Sequence, residues 1–475
     1  MERANLAEIL KAAREQKHLT QTEAAEAVGV TLNSWHRWET GQQEPHAYNL
    51  RRIEEVFGLN LEELGLTPQL PVVKRVPDRE DIPVEEDVLT AFRMQDLSSC
   101  LMRIVWDWLY HHYTKYHELQ ACIGRILEEH IILNKDTDLI SRRDALRRLA
   151  SLPIDYCYLS AFAAVLKRPI EEILTQCAAG ITACWYLRKG KELAFTAQAV
   201  ESYVPTLKAI TESSQKEQCI AAADLLAQCL ILQSQLANQF DNRAASLNYA
   251  KQAEQYSEAA GNIALQIVAI RTQANAYDFA HDWKQALQTA VRASLLLKTN
   301  KDNSSNKHTP IPPLVASQVY ASLGNYQGHA GLKQDALYSL GEAHTKFYET
   351  SDEPVPVWIT LDEGHLLLND GLAHLYLDLH REARNSFEQV VACDTPAETA
   401  RVEALISQVT AETHREDAPR DMDYCIDRWT QGMQGAIAMQ SDHWFNAALT
   451  TLTAMRVAWP GEKAVKDLRE HIVHW

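Results

Sequence analysis

Residues 19–45 constrain this chain more tightly than any other stretch, because they encode two short helices together with their caps and the turn between them. Thr20 stands at an N-cap with Glu23 three residues on, the spacing at which hydroxyl and carboxylate each satisfy a backbone N–H of the first turn. Leu19, Ala24, Ala25 and Val28 follow at helical spacing and put apolar surface on one face. Gly29 permits a left-handed turn. Thr31 caps a second helix that runs to about Thr40 and is stopped by Gly41 and Pro45. Trp35 and Trp38, three apart on its inward face, read as core. A further helix, Tyr48 to Phe57, carries Leu50, Ile53, Val56 and Phe57 at core spacing. Leu6 to Leu64 thus reads as five short helices.

A chain of 475 residues is too long for one core, which implies two to four domains. Its 17 glycines and 16 prolines are few for that length, and with many alanines and leucines they predict an all-α protein. The reading divides into residues 1–66, a linker at 67–87, a helical connecting and dimerisation region at 88–186, and helical repeats at 187–475. Four prolines between Thr67 and Glu86 deny that stretch a stable helix. The basic segment Ser141 to Ala150 alternates leucines and arginines at helical spacing. Its arginines are either a solvated face or a contact for DNA or a partner.

Beyond Leu187 the segments FDNRAA, HDWKQA, GLKQDA and LHREAR align as polar turns that open helices, with Ala245, Ala286, Ala336 and Ala383 in register. Small residues, Ala274, Gly324 and Gly371, stand twelve before the last three, and Gly435 and Ala447 suggest a fifth unit. Small residues on facing helices allow close antiparallel approach.

The net charge of −17 argues against a general nucleic-acid coat but leaves room for a small reader domain. No apolar run approaches the ~20 residues of a membrane helix, and the polar start gives no sign of a signal peptide. The nine cysteines form no C-x-x-C pair and read as reduced thiols. A cytoplasmic protein without membrane contact, metal or cofactor is expected. With no phosphate loop, H-E-x-x-H or nucleophile elbow, catalysis is not expected either.

The segment from Leu19 to Thr31 and its continuation from Ser34 to Pro45 resemble the core of the phage-repressor-like (XRE-type) helix-turn-helix family. That resemblance implies double-stranded DNA as partner. It places Leu32, Asn33 and Arg37 at base edges, His36 and Thr40 beside them, and Thr20 and Gln21 at phosphate or bracing a reading residue. Asparagine suits adenine, arginine suits guanine, and leucine can meet a thymine methyl. Arg14 and Glu39 occupy positions that form an ion pair in relatives, a structural role. Against DNA stand the 7 Lys+Arg and 11 Asp+Glu of residues 1–66, a net of 7 − 11 = −4, which weakens counterion release and favours binding as a homodimer.

Residues 221–475 resemble tetratricopeptide repeats, a pattern that Tyr277 and Trp283 also fit. Such arrays form a solenoid with a concave face suited to an extended peptide. The combination resembles the peptide-sensing regulators of bacterial quorum signalling and phage decision. By that resemblance Asn275 and Asn325 grip a peptide backbone, Arg271 holds a carboxylate, and Asp278, Gln318 and His329 lie on similar faces. Solvent-facing asparagines are the plainer alternative. Two functions remain: a ligand-responsive transcriptional regulator, or a non-enzymatic scaffold whose repeats recruit a protein while the head localises or dimerises it.

Overall fold

Several helices begin where a side chain closes the first turn. In the computed structural model, the side chains of Asn242, Asn262, Asp362, Asp421 and Ser441 each accept a hydrogen bond from the backbone N–H three residues on. The structure describes residues 6–28, 30, 32–41, 53, 56, 57, 59, 120, 146, 147, 150, 170–212, 215–302, 311–349, 355–393, 396–416 and 419–473. Among these, all the regular structure is α-helical. Of the third to fifth helices expected before residue 66, α3 and the helical residues 53, 56 and 57 are described; the rest of them, Gly29, Thr31 and the linker lie outside the described residues.

The N-terminal unit comprises α1 (Leu6–Gln16), α2 (Gln21–Val28) and α3 (Leu32–Glu39). Thr20 and Glu23 form the reciprocal cap: the Thr20 N–H donates to Glu23 Oε2 at 2.7 Å and the Glu23 N–H to Thr20 Oγ1 at 3.2 Å. The core gathers Leu10, Ala24, Ala25, Val28, Trp35, Trp38, Ile53 and Phe57. Trp35 stacks on Phe57 at 5.4 Å and meets Trp38 edge-on at 6.1 Å, so both tryptophans are core as their spacing predicts.

The larger body comprises α4 (Ile170–Leu187), α5 (Leu193–Thr211), α6 (Lys216–Gln239), α7 (Arg243–Ala259), α8 (Ile263–Phe279), α9 (Trp283–Asp302), α10 (Pro313–His329), α11 (Lys333–Phe347), α12 (Glu363–Tyr376), α13 (His380–Ala392), α14 (Glu398–His414), α15 (Met422–Ala438), α16 (Asp442–Ala458) and α17 (Lys463–Val473). Successive helices pack as hairpins. Five turns inside hairpins use one left-handed residue in the same place, Asp241, His281, Gly331, Asp378 and Gln440, with φ between 53° and 71°, and His18 and Gly261 repeat it between α1 and α2 and between α7 and α8. At each, the N–H of the turn residue bonds three residues back and the next N–H five back, as in Asp378 to Leu375 and Leu379 to His374. The turns are therefore alike although the repeat lengths are not; the extra residues fall between hairpins, at 303–312 and 348–362.

That shared turn fixes the register and corrects two sequence alignments. Counting five residues on from each turn gives Ala286, Ala336 and Ala383, as expected, but Ser246 rather than Ala245; Ser246 Oγ lies 3.0 Å from Ser234 Oγ, twelve residues earlier. Three small residues in a row, Ala244, Ala245 and Ser246, hid the shift. The last hairpin aligns on Met433 and Phe445, not on Gly435 and Ala447. Gly435 instead faces Val402 of α14, where a Cβ would collide with the valine methyl.

The glycines of the middle hairpins do sit at close approaches. A Cβ on Gly324 would lie 2.8 Å from Leu340, and one on Gly371 would collide with the Phe387 ring. Gly371→Ala should therefore cost ~1–3 kcal/mol through overpacking. Gly341→Ala, a helical position with nothing within 4 Å, should be neutral or stabilising by ~0.5–1 kcal/mol. Thermal unfolding of the two variants checks the contrast, and equal melting points would refute it.

The expected division at residue 187 cuts through a hairpin, since α4 pairs with α5 inside the same core. Further upstream, Gln120 donates to Gln228 Oε1 at 3.0 Å, and Tyr203 OH donates to the Ala150 carbonyl at 2.9 Å. In the basic segment, Arg147 pairs with Glu192 and lies 5.4 Å over the Phe195 ring. This arginine is engaged within the chain, which neither sequence reading of the segment foresaw. One described helix, α6, is long and apolar enough to cross a membrane, but 83% of its apolar window is buried by its neighbours. Of the six described cysteines, Cys177, Cys184, Cys229 and Cys425 are buried.

The hairpin array bends until its later helices meet its beginning. The Glu398 N–H donates to the Lys189 carbonyl at 3.0 Å. Ser441 Oγ donates to the Gln239 carbonyl at 3.1 Å, and Asn446 Nδ2 donates to Asp241 at 3.0 Å. His443 Nδ1 lies 3.3 Å from the same carboxylate. A cavity lies beside these contacts, lined by Gln239 and by Thr399 and Trp444, neighbours of the contacting residues.

Candidate functional site

Two surfaces carry the residues singled out from sequence. On α3, positions 32, 33, 36, 37 and 40 follow helical spacing along one face. Leu32 is 44% exposed, far from the burial its apolar side chain would otherwise seek, and His36, Arg37 and Thr40 are exposed. Asn33 belongs to α3, but its side chain lies outside the described residues. The helix ends at Glu39, one residue short of expectation, and the Thr40 hydroxyl donates to the His36 carbonyl at 2.8 Å.

Glu39 holds this helix to the rest of the unit. Its carboxylate accepts from Arg14 Nε at 2.6 Å, Gln21 Nε2 at 2.6 Å and Trp35 Nε1 at 2.9 Å. Burial raises its pKa, but these donors and the Arg14 charge outweigh burial and leave it below the ordinary carboxylate value. Gln21, with its Oε1 3.3 Å from His36 Nδ1, braces an exposed residue of α3. Thr20 is engaged in the cap with Glu23.

The second surface is the cavity, about 120 Å³, walled chiefly by α6, α8, α10, α12 and α14. Five of the six residues assigned to a ligand from sequence converge there: Arg271, Asn275 and Asp278 from α8, and Gln318 and Asn325 from α10. The first three recur every three to four residues and so share one face of α8. His329 is placed elsewhere, stacked on Trp283 at 4.0 Å and against Tyr376 at 4.3 Å. Sequence reasoning missed Arg188, Gln235, Asn238, Tyr326, His365, Glu403 and Trp444, which also line the cavity.

The lining is polar and incompletely satisfied. Asn238 Nδ2 donates to Asn275 Oδ1 at 3.1 Å, and Gln318 Nε2 to Thr360 Oγ1 at 3.0 Å. Both polar atoms of the Gln235 amide, Asn238 Oδ1, Gln318 Oε1, Asn325 Oδ1 and Arg271 Nε lack a partner. Native interiors leave few such groups, because each costs about 1–3 kcal/mol when buried alone. Burial lowers Arg188 to about 10, with the nearby Arg271 charge adding to the effect. Burial pushes the Asp278 carboxyl up to about 7 and Glu403 up to about 8, Asp278 adding to the latter.

These features define an all-α protein with a small helix-turn-helix unit at its N-terminal end and a body of helical hairpins around a polar cavity. Residues 10–64 match the helix-turn-helix family, and the chain carries an XRE-type DNA-binding domain there. That domain supports a DNA-binding regulator. No curated protein matches the chain in sequence.

Proposed function

We propose that the chain is a non-catalytic, ligand-responsive DNA-binding transcriptional regulator. In this reading α3 reads a duplex groove as part of a homodimer, and the hairpin body senses a peptide. The observation that carries it is the convergence of five sequence-assigned ligand residues on one cavity whose buried amides lack partners. Amides with free donors and acceptors suit a peptide backbone, which offers both at every residue. Closure of the array by α14 and α16 supplies a response: a ligand that alters the Ser441 and Asn446 contacts changes the shape of the solenoid.

Selection of bound duplexes from a random pool tests the DNA half. An enriched two-fold sequence with half-sites about one helical turn apart supports it, and no enrichment at low salt sinks it. On the selected site, Arg37→Ala should cost ~1–3 kcal/mol and relax one base position. Asn275→Ala should leave the DNA affinity of the free protein unchanged and blunt any change on adding peptide. If the two variants behave alike, this division of labour is wrong.

The acidic balance of residues 1–66, 7 Lys+Arg against 11 Asp+Glu, favours a second reading in which the head contacts protein and the body is a scaffold. Stable co-purification of a large partner without DNA preference would establish it.

A further inference from the structure

The cavity is charged in two places rather than one. Arg188 and Arg271 line it, and so do Asp278 and Glu403. Arginine and carboxylate lining one small space ordinarily pair, yet none of these four forms an ion pair with a described residue. Neither carboxylate gains stabilisation from a cation; burial alone, and in Glu403 the neighbouring Asp278, acts on them. Arg271 Nε is likewise buried without a partner. The Asp362 charge partly offsets that of Arg188, but four ionisable groups without an ion pair in one cavity remain a standing cost unless something enters to complete them.

Helix geometry separates the two ends. Arg271 and Asp278 are seven residues apart on α8, hence roughly 10 Å along its axis. The acidic end is flanked by the Tyr326 and Tyr376 phenols, both raised chiefly by burial and further by the Asp278 charge. Aromatic rings beside paired carboxylates form a setting that favours an ammonium over a metal-like point charge. The same cavity holds the unpartnered oxygens of Gln318, Asn325 and Asn238, acceptors that backbone N–H groups of a bound chain can satisfy.

We propose that the cavity takes a zwitterionic peptide of two to three residues, or an end of that length, with its carboxylate on Arg188 and Arg271 and a primary ammonium between Asp278 and Glu403. The proposal rests on the peptide-sensing reading above and adds the charge pattern and length of the ligand. An extended chain spans about 3.3–3.6 Å per residue, so two or three residues bridge the ends with a hydrogen bond at each. The charges of a single α-amino acid without a basic side chain lie too close together to do so. The ammonium is an N-terminal amine or a lysine side chain, two sources of the same chemistry.

The test uses the purified full-length chain and pools of random tripeptides, with bound peptides identified by mass spectrometry. The pools are lysine-free with both ends free, lysine-free and N-acetylated, lysine-free and C-amidated, and N-acetylated but containing lysine. The expected result is at least tenfold enrichment of the free-ended pool over the first two blocked pools. Recovery of binding in the fourth pool shows that a lysine ammonium serves as well as the N-terminal one, its failure restricts the site to the N-terminus, and binding of the fourth pool alone restricts it to lysine. In Asp278→Asn/Glu403→Gln, acetylation should no longer matter while amidation still does, and in Arg271→Gln the preferences should reverse. Binding of blocked and free pools alike overturns the zwitterion but leaves peptide sensing standing. No binding of any pool overturns both. The end-group comparison on the unmodified chain needs no variant to fold.

Discussion

Glu39→Ala is expected to unfold the N-terminal unit while leaving the hairpin body intact, at a cost of about 3–5 kcal/mol. The estimate follows from what the substitution leaves behind. The Glu39 side chain is 3% exposed and that of Arg14 is 13% exposed, so removal of the carboxylate leaves a largely buried guanidinium with only the Leu19 carbonyl and the more distant, exposed Glu15 carboxylate. The Trp35 N–H and the Gln21 amide lose their acceptor in the same step. A unit of some sixty residues has only a few kcal/mol in reserve. Hydrogen exchange of the full-length chain reads the outcome directly: protection in α1 to α3 should collapse while that in α6 and α8 persists. Glu39→Gln, which keeps an acceptor for Trp35 but loses the charge, should fall between. Because the folded pKa of Glu39 is depressed, its stabilisation is present above the unfolded value near 4.5 and is lost as pH falls through the folded one. Unchanged protection in Glu39→Ala at neutral pH would mean that the carboxylate does not hold α3 in place.

The N-terminal unit was legible because its signals are local. A cap and its carboxylate stand three residues apart, and Trp35 and Trp38 recur at the helical period, so no distant partner is needed to place them. The cavity was half legible for the same reason. Arg271, Asn275 and Asp278 share one face of one helix, and Asn325 stands in the next hairpin at the position of Asn275. Arg188 and Glu403 carry no such mark. They reach the cavity only because α14 folds back on the 189–191 turn, where Glu398 meets Lys189 and Lys191, and a contact across two hundred residues has no period. His329 failed for the opposite reason. Its offset from the repeat was right for a helix face, but the aromatic rings of Trp283 and Tyr376 captured it at the rim. The register slip at Ala245 shows the limit of small-residue alignment, since only the left-handed turn at Asp241 tells Ala245 from Ser246.

The ligand-free protein should lose stability as pH rises from about 6.5 to about 8.5, against the usual behaviour of a protein with stabilising carboxylates. Burial raises Asp278 from 3.8 to about 7 and Glu403 from 4.5 to about 8. A raised folded pKa means that the fold binds protons the unfolded chain has released, so its contribution is complete below the unfolded values and disappears through the folded ones. The shifted groups facing the pair, Arg188, Arg271, Tyr326 and Tyr376, titrate chiefly above that window. Glu39, Asp241 and Asp362 have depressed values and act only at lower pH. His329 and His443, lowered chiefly by burial, favour the fold increasingly up to their unfolded value of 6.5 and then stop. Integrated over the window, the two carboxyls cost on the order of 2–3 kcal/mol, a decline of several degrees in melting temperature for a body of this size. Asp278→Asn/Glu403→Gln keeps the shape of the protonated pair and removes its ionisation, so the variant should show a flat profile and melt above the parent chain at pH 8.5. Calorimetry across the window decides it. A parent profile that rises with pH, or a variant that tracks the parent, would mean that the two carboxyls are already ionised in the fold and compensated within it, and the acidic end of the cavity would then have no vacancy for an ammonium.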